Sequence, residues 1–173
     1  MHEFAADPPV ERRVGEVLAD SEATVAIAEG CTGGLVTALL TAVPGASDYL
    51  DRALVPYSYD SLRETLAVSR ETLDDHGVVS EPATREIARG VRDTAKTTWG
   101  LATTGVAGPS GGSAATPVGT VFVAVSHAGP WGTGASGVTV ERHEFDGDRS
   151  AVRELGARRA LADLRDRVRE QRT

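Results

Sequence analysis

The alternation of apolar and polar positions along the chain predicts helices and strands in turn. Apolar residues recur at helical spacing over residues 10–18, and a β-rich apolar run follows at residues 24–28. The segment EGCTGG at residues 29–34 is a glycine turn, and residues 35–42 after it again have a helical pattern. The chain therefore begins with a helix, which is followed by a strand, a glycine loop and a second helix.

The middle of the chain continues this alternation. Residues 49–57 are predicted to form a second strand, and residues 58–66 a short helix. Ser80 is expected to cap a helix that runs to about residue 97, because a serine hydroxyl accepts a free backbone N–H and the proline two positions later is tolerated in a first helical turn.

The second half of the chain is richer in strands. A short strand is predicted at residues 101–104, followed by a glycine-rich loop at residues 104–113. Residues 118–126 form a strong β run, with residues 138–145 as its hairpin partner, and an apolar stripe predicts a long helix from Asp148 onwards. Alternation of this kind is typical of an α/β domain.

Length and composition limit the class of protein. The chain has 173 residues, 40% hydrophobic and 25% charged, without a repeat or a long linker, so we expect one α/β domain over residues 1–173. No apolar run reaches the roughly 18 residues that a membrane span needs, and residues 1–9 lack the features of a signal peptide. These patterns predict a cytoplasmic protein.

Charge and cysteine content point to a small-molecule partner. The 25 acidic and 18 basic residues give a formal charge of −7, which disfavours binding to nucleic acid or to anionic membranes. Cys31 is the one cysteine, and the four histidines lack the spacing of metal ligands. We therefore expect neither a metal site nor another cofactor.

Two glycine-rich loops are candidates for ligand binding. A glycine turn between a strand and a helix exposes free N–H groups that can cradle an anion, although such turns also serve packing alone. The second loop follows a strand, where α/β proteins hold ligands, although it could also be a mobile surface loop. We expect the two loops to line one crevice at the strand ends. The candidate ligand-binding residues in them are Gly30, Gly33, Gly34, Thr104, Gly105, Gly108, Pro109, Gly111 and Gly112.

Six segments carry a family resemblance, and they occur in the family's order. They are AEGCTGG at residues 28–34, VPYS at 55–58, HGVVSE at 76–81, TGVAGPSGG at 104–112, PVGTVF at 117–122 and FDGDRSAVR at 145–153. Together they resemble the CinA C-terminal domain family, the nicotinamide-nucleotide amidases, over about residues 10–164.

The resemblance implies a fold and an activity. The fold is a single three-layer α/β/α domain, here similar to the stand-alone form of the family. The activity is hydrolysis of the carboxamide of nicotinamide mononucleotide to nicotinate mononucleotide and ammonia. The expected partner is thus nicotinamide mononucleotide or a related nucleotide, and the resemblance also implies a homo-oligomer.

The chain departs from the family pattern at two decisive positions. Gly30 stands where the family motif AESCTGG has its proposed nucleophilic serine, and Leu62 stands where YSNEAK supplies the lysine thought to activate that serine. Pro56 and Tyr59 differ from the family as well. We therefore expect weak, altered or lost amidase activity, and the alternative is a non-catalytic nucleotide-binding module with the same fold. The intact glycine loops disfavour a purely structural role.

Three other residues are candidates for a catalytic role. Cys31 and Thr32 are adjacent to the missing nucleophile, but either would need a shifted backbone to replace it. Otherwise, Cys31 would be a small buried hydrophobe. Tyr57 matches the family's tyrosine and is either a ligand contact or a half-buried strand residue.

Two arginines at the start of the last helix are further candidates. Arg149 and Arg153 could bind a phosphate through their planar guanidinium groups. They could equally be solvated, or paired with Asp146 and Asp148.

Overall fold

The structure is a computed structural model that describes residues 4–171. Its helices are α1 (Val10–Asp20), α2 (Leu35–Thr41), α3 (Tyr59–Leu66), α4 (Arg70–His76), α5 (Glu81–Ala95) and α6 (Arg149–Glu170), with a short 3₁₀ turn at Ala46–Asp48. Its strands are β1 (Val25–Glu29), β2 (Leu50–Leu54), β3 (Trp99–Gly105), β4 (Thr120–His127) and β5 (Gly137–Glu144).

The five strands form one mixed sheet in the order β2-β1-β3-β4-β5. Strand β1 pairs in parallel with β2 and β3, whereas β4 pairs antiparallel with both β3 and β5. All five residues of β1 are buried, which explains its continuous apolar run in the sequence. Strand β5 is an edge strand, and all of its residues are exposed or half-buried.

Helices cover both faces of the sheet, and each face has its own core. Helices α1, α2 and α6 pack on one face around buried residues such as Leu18, Leu40, Leu101 and Leu161. Helix α5 packs on the other face and carries α3 and α4, and the core there includes Leu62 and other buried aliphatic side chains. The predicted α/β class and the three-layer arrangement are confirmed.

Several element boundaries correct the sequence prediction. The strand predicted at residues 49–57 ends at Leu54, so the interpretation of Tyr57 as a strand residue is wrong. Helix α4 was not predicted, although Ser69 caps it by accepting a hydrogen bond from Thr72 N at 2.9 Å. The predicted cap of α5 is confirmed, because Ser80 Oγ accepts from Ala83 N at 3.3 Å.

The register of the parallel strands positions the candidate loops. In the β1–β3 pair, Glu29 lies opposite Thr103, so the two strands end at the same edge of the sheet. The glycine turn after β1 and the glycine-rich loop after β3 therefore start side by side. This is the edge at which open α/β sheets bind their ligands.

Residues 4–171 contain neither a membrane-spanning helix nor a cluster of metal ligands. Among residues 4–171, no helix combines the length and the apolar character that crossing a bilayer requires. In the same part of the chain, no group of three or more histidine, cysteine or acidic residues has an arrangement that could hold a metal ion. Of the segment 1–9 considered above, residues 1–3 lie outside the described part.

Candidate functional site

A cleft of about 150 Å³ opens at the carboxyl ends of β1 and β3. Both candidate loops contribute to it, through Gly30 and Cys31 from the first and Thr104 and Gly105 from the second. Its other lining residues come from the segments before α3 and α5, namely Pro56, Tyr57, Val78 and Val79. The starts of the two loops thus share one crevice.

The three glycine amides of the first glycine turn have acceptors within the protein. Gly30 N donates to Thr103 O at 2.8 Å, and Gly33 N donates to Gly30 O at 3.1 Å. Gly34 N donates at 2.9 Å to the carboxylate of Glu29. Two of these amides thus bind backbone carbonyls and the third binds the chain's own carboxylate, so none of the three is available to an external anion.

Gly30 lies too close to β3 to carry a side chain without movement. A Cβ built on Gly30 would be 2.9 Å from Thr103 O and 3.6 Å from Thr104 Cα. Because Cβ atoms essentially never approach other atoms within 3.0 Å, the loop would have to move away from the strand. At this position, the first glycine turn therefore packs more tightly on β3 than a serine would permit.

The second loop contributes its first two residues to the cleft. Thr104 is buried, and its Oγ1 shares a hydrogen bond of 2.7 Å with Thr84 Oγ1 of α5. A Cβ on Gly105 would collide with Thr120 O and would lie 3.0 Å from Cys31 Sγ, so only glycine fits there without rearrangement.

The later residues of this loop do not line the cleft. Gly108 is buried, whereas the loop tip is exposed to solvent. The exposed residues of the tip include Pro109, Gly111 and Gly112.

Arg149 and Arg153 connect helix α6 to the two glycine loops. Arg149 Nη1 donates to Gly108 O at 2.7 Å. Arg153 donates to Thr32 O from Nη2 at 3.0 Å and from Nε at 3.3 Å. Within residues 4–171 neither guanidinium pairs with a carboxylate, so the ion pairs considered with Asp146 and Asp148 do not form.

The structure does not support Cys31 or Thr32 as a substitute nucleophile. Burial raises the pKa of the Cys31 thiol to about 12, and the nearby Glu29 carboxylate adds to this rise. At pH 7 the reactive thiolate is therefore on the order of one part in 10⁵. Thr32 is 0% exposed, and its hydroxyl bonds to Glu29 Oε2 and Thr103 Oγ1.

Tyr57 and Leu62 have opposite environments. Tyr57 is 72% exposed at the rim of the cleft, where its phenol ring is free to contact a ligand. Leu62 is only 2% exposed and belongs to the core between α3, α5 and the sheet. An apolar side chain thus fills the position at which the resemblance expects a lysine.

The match of the chain to a protein-family model agrees with the fold and with the order of the motifs. The model of the CinA C-terminal domain matches residues 7–168. The chain belongs to the CinA family. A CinA-like protein of Desulfosudis oleivorans is 45% identical to it over 159 residues, which cover 92% of this chain and 37% of that protein.

Other CinA relatives support the same assignment. A CinA-like protein of an Anaeromyxobacter species is 50% identical over 141 residues, which are 82% of this chain and 33% of that protein. The chain thus spans about a third of the length of these curated relatives. A CinA superfamily structure from Klebsiella pneumoniae is 32% identical, with a TM-score of 0.84 over 93% of this chain and 96% of that chain.

Sequence reasoning assigned no role to three residues that line the cleft of this CinA domain. Val78 and Val79 come from the HGVVSE segment directly before α5, and Pro56 comes from VPYS. Both segments contributed to the family resemblance, which was the one signal in the sequence that could have drawn attention to them.

Proposed function

We propose that this CinA-family chain binds a nucleotide of the nicotinamide mononucleotide class in the cleft and hydrolyses its carboxamide slowly or not at all. The observation that carries the proposal is the pair of residues at the two positions where the family resemblance implies a nucleophilic serine and an activating lysine. Gly30 has no side chain there, and Leu62 is buried in an apolar core. A related substrate with a more labile bond would be compatible with the same site.

The chemistry of amide hydrolysis supports this proposal. A hydroxyl or thiol nucleophile needs a base within hydrogen-bond reach to take its proton. None of the residues lining the cleft carries an amine, an imidazole or a carboxylate that could serve as this base. Because the Cys31 thiol is neutral, the cleft provides surfaces to which a ligand can bind but provides no activated nucleophile.

The lining of the cleft is compatible with a flat aromatic ring. Val78, Val79 and Pro56 are apolar, and the exposed ring of Tyr57 offers a π face to a cationic pyridinium. A volume of about 150 Å³ accommodates one ring with its carboxamide, and leaves the ribose and phosphate outside the cleft.

Calorimetric titration with nicotinamide mononucleotide and an ammonia-release assay together test the proposal. We expect saturable binding, with ammonia release far below the roughly 10 per second of a typical metabolic enzyme. Turnover at that rate would contradict the loss of catalysis. A titration that shows no binding would contradict the nucleotide-binding role, and only the assignment of the fold would remain.

The phosphate of the nucleotide gives a second comparison. Arg149 and Arg153 keep unused guanidinium N–H groups beside the two loops, and these can bind a phosphate. Arg149→Ala should weaken binding of nicotinamide mononucleotide and leave binding of nicotinamide riboside, which lacks the phosphate, nearly unchanged. Arg153→Ala also breaks the bonds to Thr32 O, so it should weaken binding of both ligands, and more so for the mononucleotide. Arg12→Ala, an exposed position on α1, is the control. Equal losses for both ligands would exclude phosphate recognition by these arginines.

A further inference from the structure

Glu29 is a buried acid whose carboxylate organises the first glycine turn. It is the last residue of β1 and is 1% exposed. Its Oε2 accepts hydrogen bonds from Thr32 Oγ1 at 2.7 Å, Gly34 N at 2.9 Å and Val36 N at 3.0 Å. Its Oε1 accepts from the backbone N and the Oγ1 of Thr37 at 2.8 and 2.6 Å.

These bonds join four elements that meet beneath the cleft. The carboxylate holds the first turn of α2 against the end of β1, where helix N-terminal amides favour a negative charge. Thr32 Oγ1 extends the network to Thr103 Oγ1 of β3 at 2.7 Å. Thr32 O in turn accepts from Arg153 of α6. Gly30 and Cys31, which line the cleft, lie in the chain between the carboxylate and Thr32.

We infer that Glu29 is a positioning residue that holds Gly30 and Cys31 against β3 and thereby sets the shape of the cleft. It acts through the loop, because its own carboxylate is fully occupied below the cleft. A merely stabilising helix cap would make the same bonds but would not control access to the cleft. The two roles differ in what happens to Cys31 when the bonds are removed.

Glu29→Gln removes the charge at constant shape. Whichever oxygen becomes the NH₂ group, at least one backbone amide loses its acceptor, either Thr37 N or the pair Gly34 N and Val36 N. Because charge-assisted bonds are about twice as strong as neutral ones, the bonds that remain are weakened as well. The loop should then open away from β3.

Cys31 reports that opening, since it is the one cysteine of the chain and is buried in the wild-type protein. Its reaction rate with Ellman's reagent at pH 8 should rise at least about tenfold in Glu29→Gln. Thr32→Val keeps the Glu29 carboxylate but removes the hydrogen bond to Thr103. A faster reaction of Cys31 in Thr32→Val therefore cannot come from a lost charge near the thiol. It also provides the test if Glu29→Gln does not fold.

Glu154→Gln is the matched control. Glu154 is also buried and pairs with Arg158 at 2.9 Å, but it sits on α6 away from the cleft lining. Its variant should lower the melting temperature without changing the rate at Cys31. Equal rate increases in Glu29→Gln and Glu154→Gln, or no increase in Glu29→Gln and Thr32→Val, would overturn the inference.

Titration with nicotinamide mononucleotide adds a second readout, and this arm rests on the proposed function. Glu29→Gln should raise the Kd at least about tenfold, because Gly30 and Cys31 are no longer held in the shape that binds the ligand. Glu154→Gln should leave the Kd unchanged. If the wild-type protein does not bind the nucleotide, the proposed function fails, and the Cys31 rates still decide the role of Glu29.

Discussion

Introducing a serine at position 30 and a lysine at position 62 should create or raise amidase activity. The double variant Gly30→Ser, Leu62→Lys supplies a hydroxyl at the edge of the cleft and an amine on α3. Nucleophile and base act as a unit, so their effects on rate are strongly non-additive. We expect the double variant to release ammonia from nicotinamide mononucleotide at least about tenfold faster than the wild-type protein, and either single variant within about threefold.

The serine requires a small movement of the loop. The added Cβ would lie 2.9 Å from Thr103 O, whereas ordinary van der Waals contact begins at 3.4 Å, so the loop must move by about half an ångström. Overpacking of this kind typically costs about 1–3 kcal/mol. Gly30 is not among the glycines with positive φ, so its backbone conformation itself accepts a side chain.

The lysine replaces a core side chain. Leu62 is buried beside Leu66 and Ala28, and losing a buried leucine costs about 2–3 kcal/mol. Burying an ammonium would add to this unless the amine extends out of the core into the cleft. Together the changes should cost about 3–6 kcal/mol, out of the 5–15 kcal/mol typical of a domain. Urea denaturation must therefore accompany the ammonia assay.

Leu66→Lys provides the matched control. Leu66 lies one turn further along α3 and is buried in the same core, so its lysine variant carries a similar loss of stability. Gly30→Ser, Leu66→Lys should release no more ammonia than the wild-type protein. A crystal structure of the first double variant decides the outcome if no activity appears. A serine hydroxyl and a lysine amine within hydrogen-bond reach, with the nucleotide bound and still no ammonia, would refute the reasoning.

Two further predictions concern stability. The pKa of the Cys31 thiol is raised to about 12 in the fold. As pH rises above about 8.5, the thiol of the unfolded chain loses its proton while the thiol of the folded chain keeps it. The folded state therefore loses stability until pH reaches about 12. Urea denaturation at pH 8 and pH 10 should show that Cys31→Ala loses less stability over this interval than the wild-type protein, by about 2 kcal/mol in total. Equal losses would contradict the raised pKa. Gly105→Ala should cost about 3 kcal/mol because its Cβ would collide with Thr120 O, whereas Gly137→Ala, with no atom within 4 Å of its Cβ, should change the free energy of unfolding by less than about 0.5 kcal/mol. Equal effects of the two alanines on the urea midpoint would show that the loop after β3 can rearrange freely.

The elements that could be predicted from sequence are those whose burial is regular. Strand β1 is buried on both faces, and the amphipathic helices α1 and α5 each present one apolar stripe to a hydrophobic core. Helix α4 was missed because a seven-residue helix with only Leu73 buried has no periodicity to detect. Its signal was the Ser69 cap, which resembles any serine in a turn when read from sequence alone.

The candidate site shows a different limit of sequence reasoning. The glycine pattern correctly indicated a loop at a strand end, but not which anion its amides face. That depends on the Glu29 side chain folding back onto α2, a contact between residues five to eight positions apart. An acid directly before a glycine turn and a helix was the available signal, since helix N-termini favour negative charge. Likewise, the bonds of Arg149 and Arg153 to loop carbonyls depend on where α6 packs.

Gly30 and Leu62 make better physical sense as a pair than as two separate losses. A lysine at position 62 without a nucleophile at position 30 would place a costly ammonium in an apolar core, with no reaction to serve. A serine at position 30 without a base would push the loop off β3 for a hydroxyl that stays inert. With both absent, Gly30 N reaches Thr103 O at 2.8 Å and Leu62 completes the core beneath α3. Gly30 thus lets the turn pack on β3 and Leu62 lets α3 pack on the core. Under the proposed function, both contacts favour a site that holds its ligand over one that cleaves it.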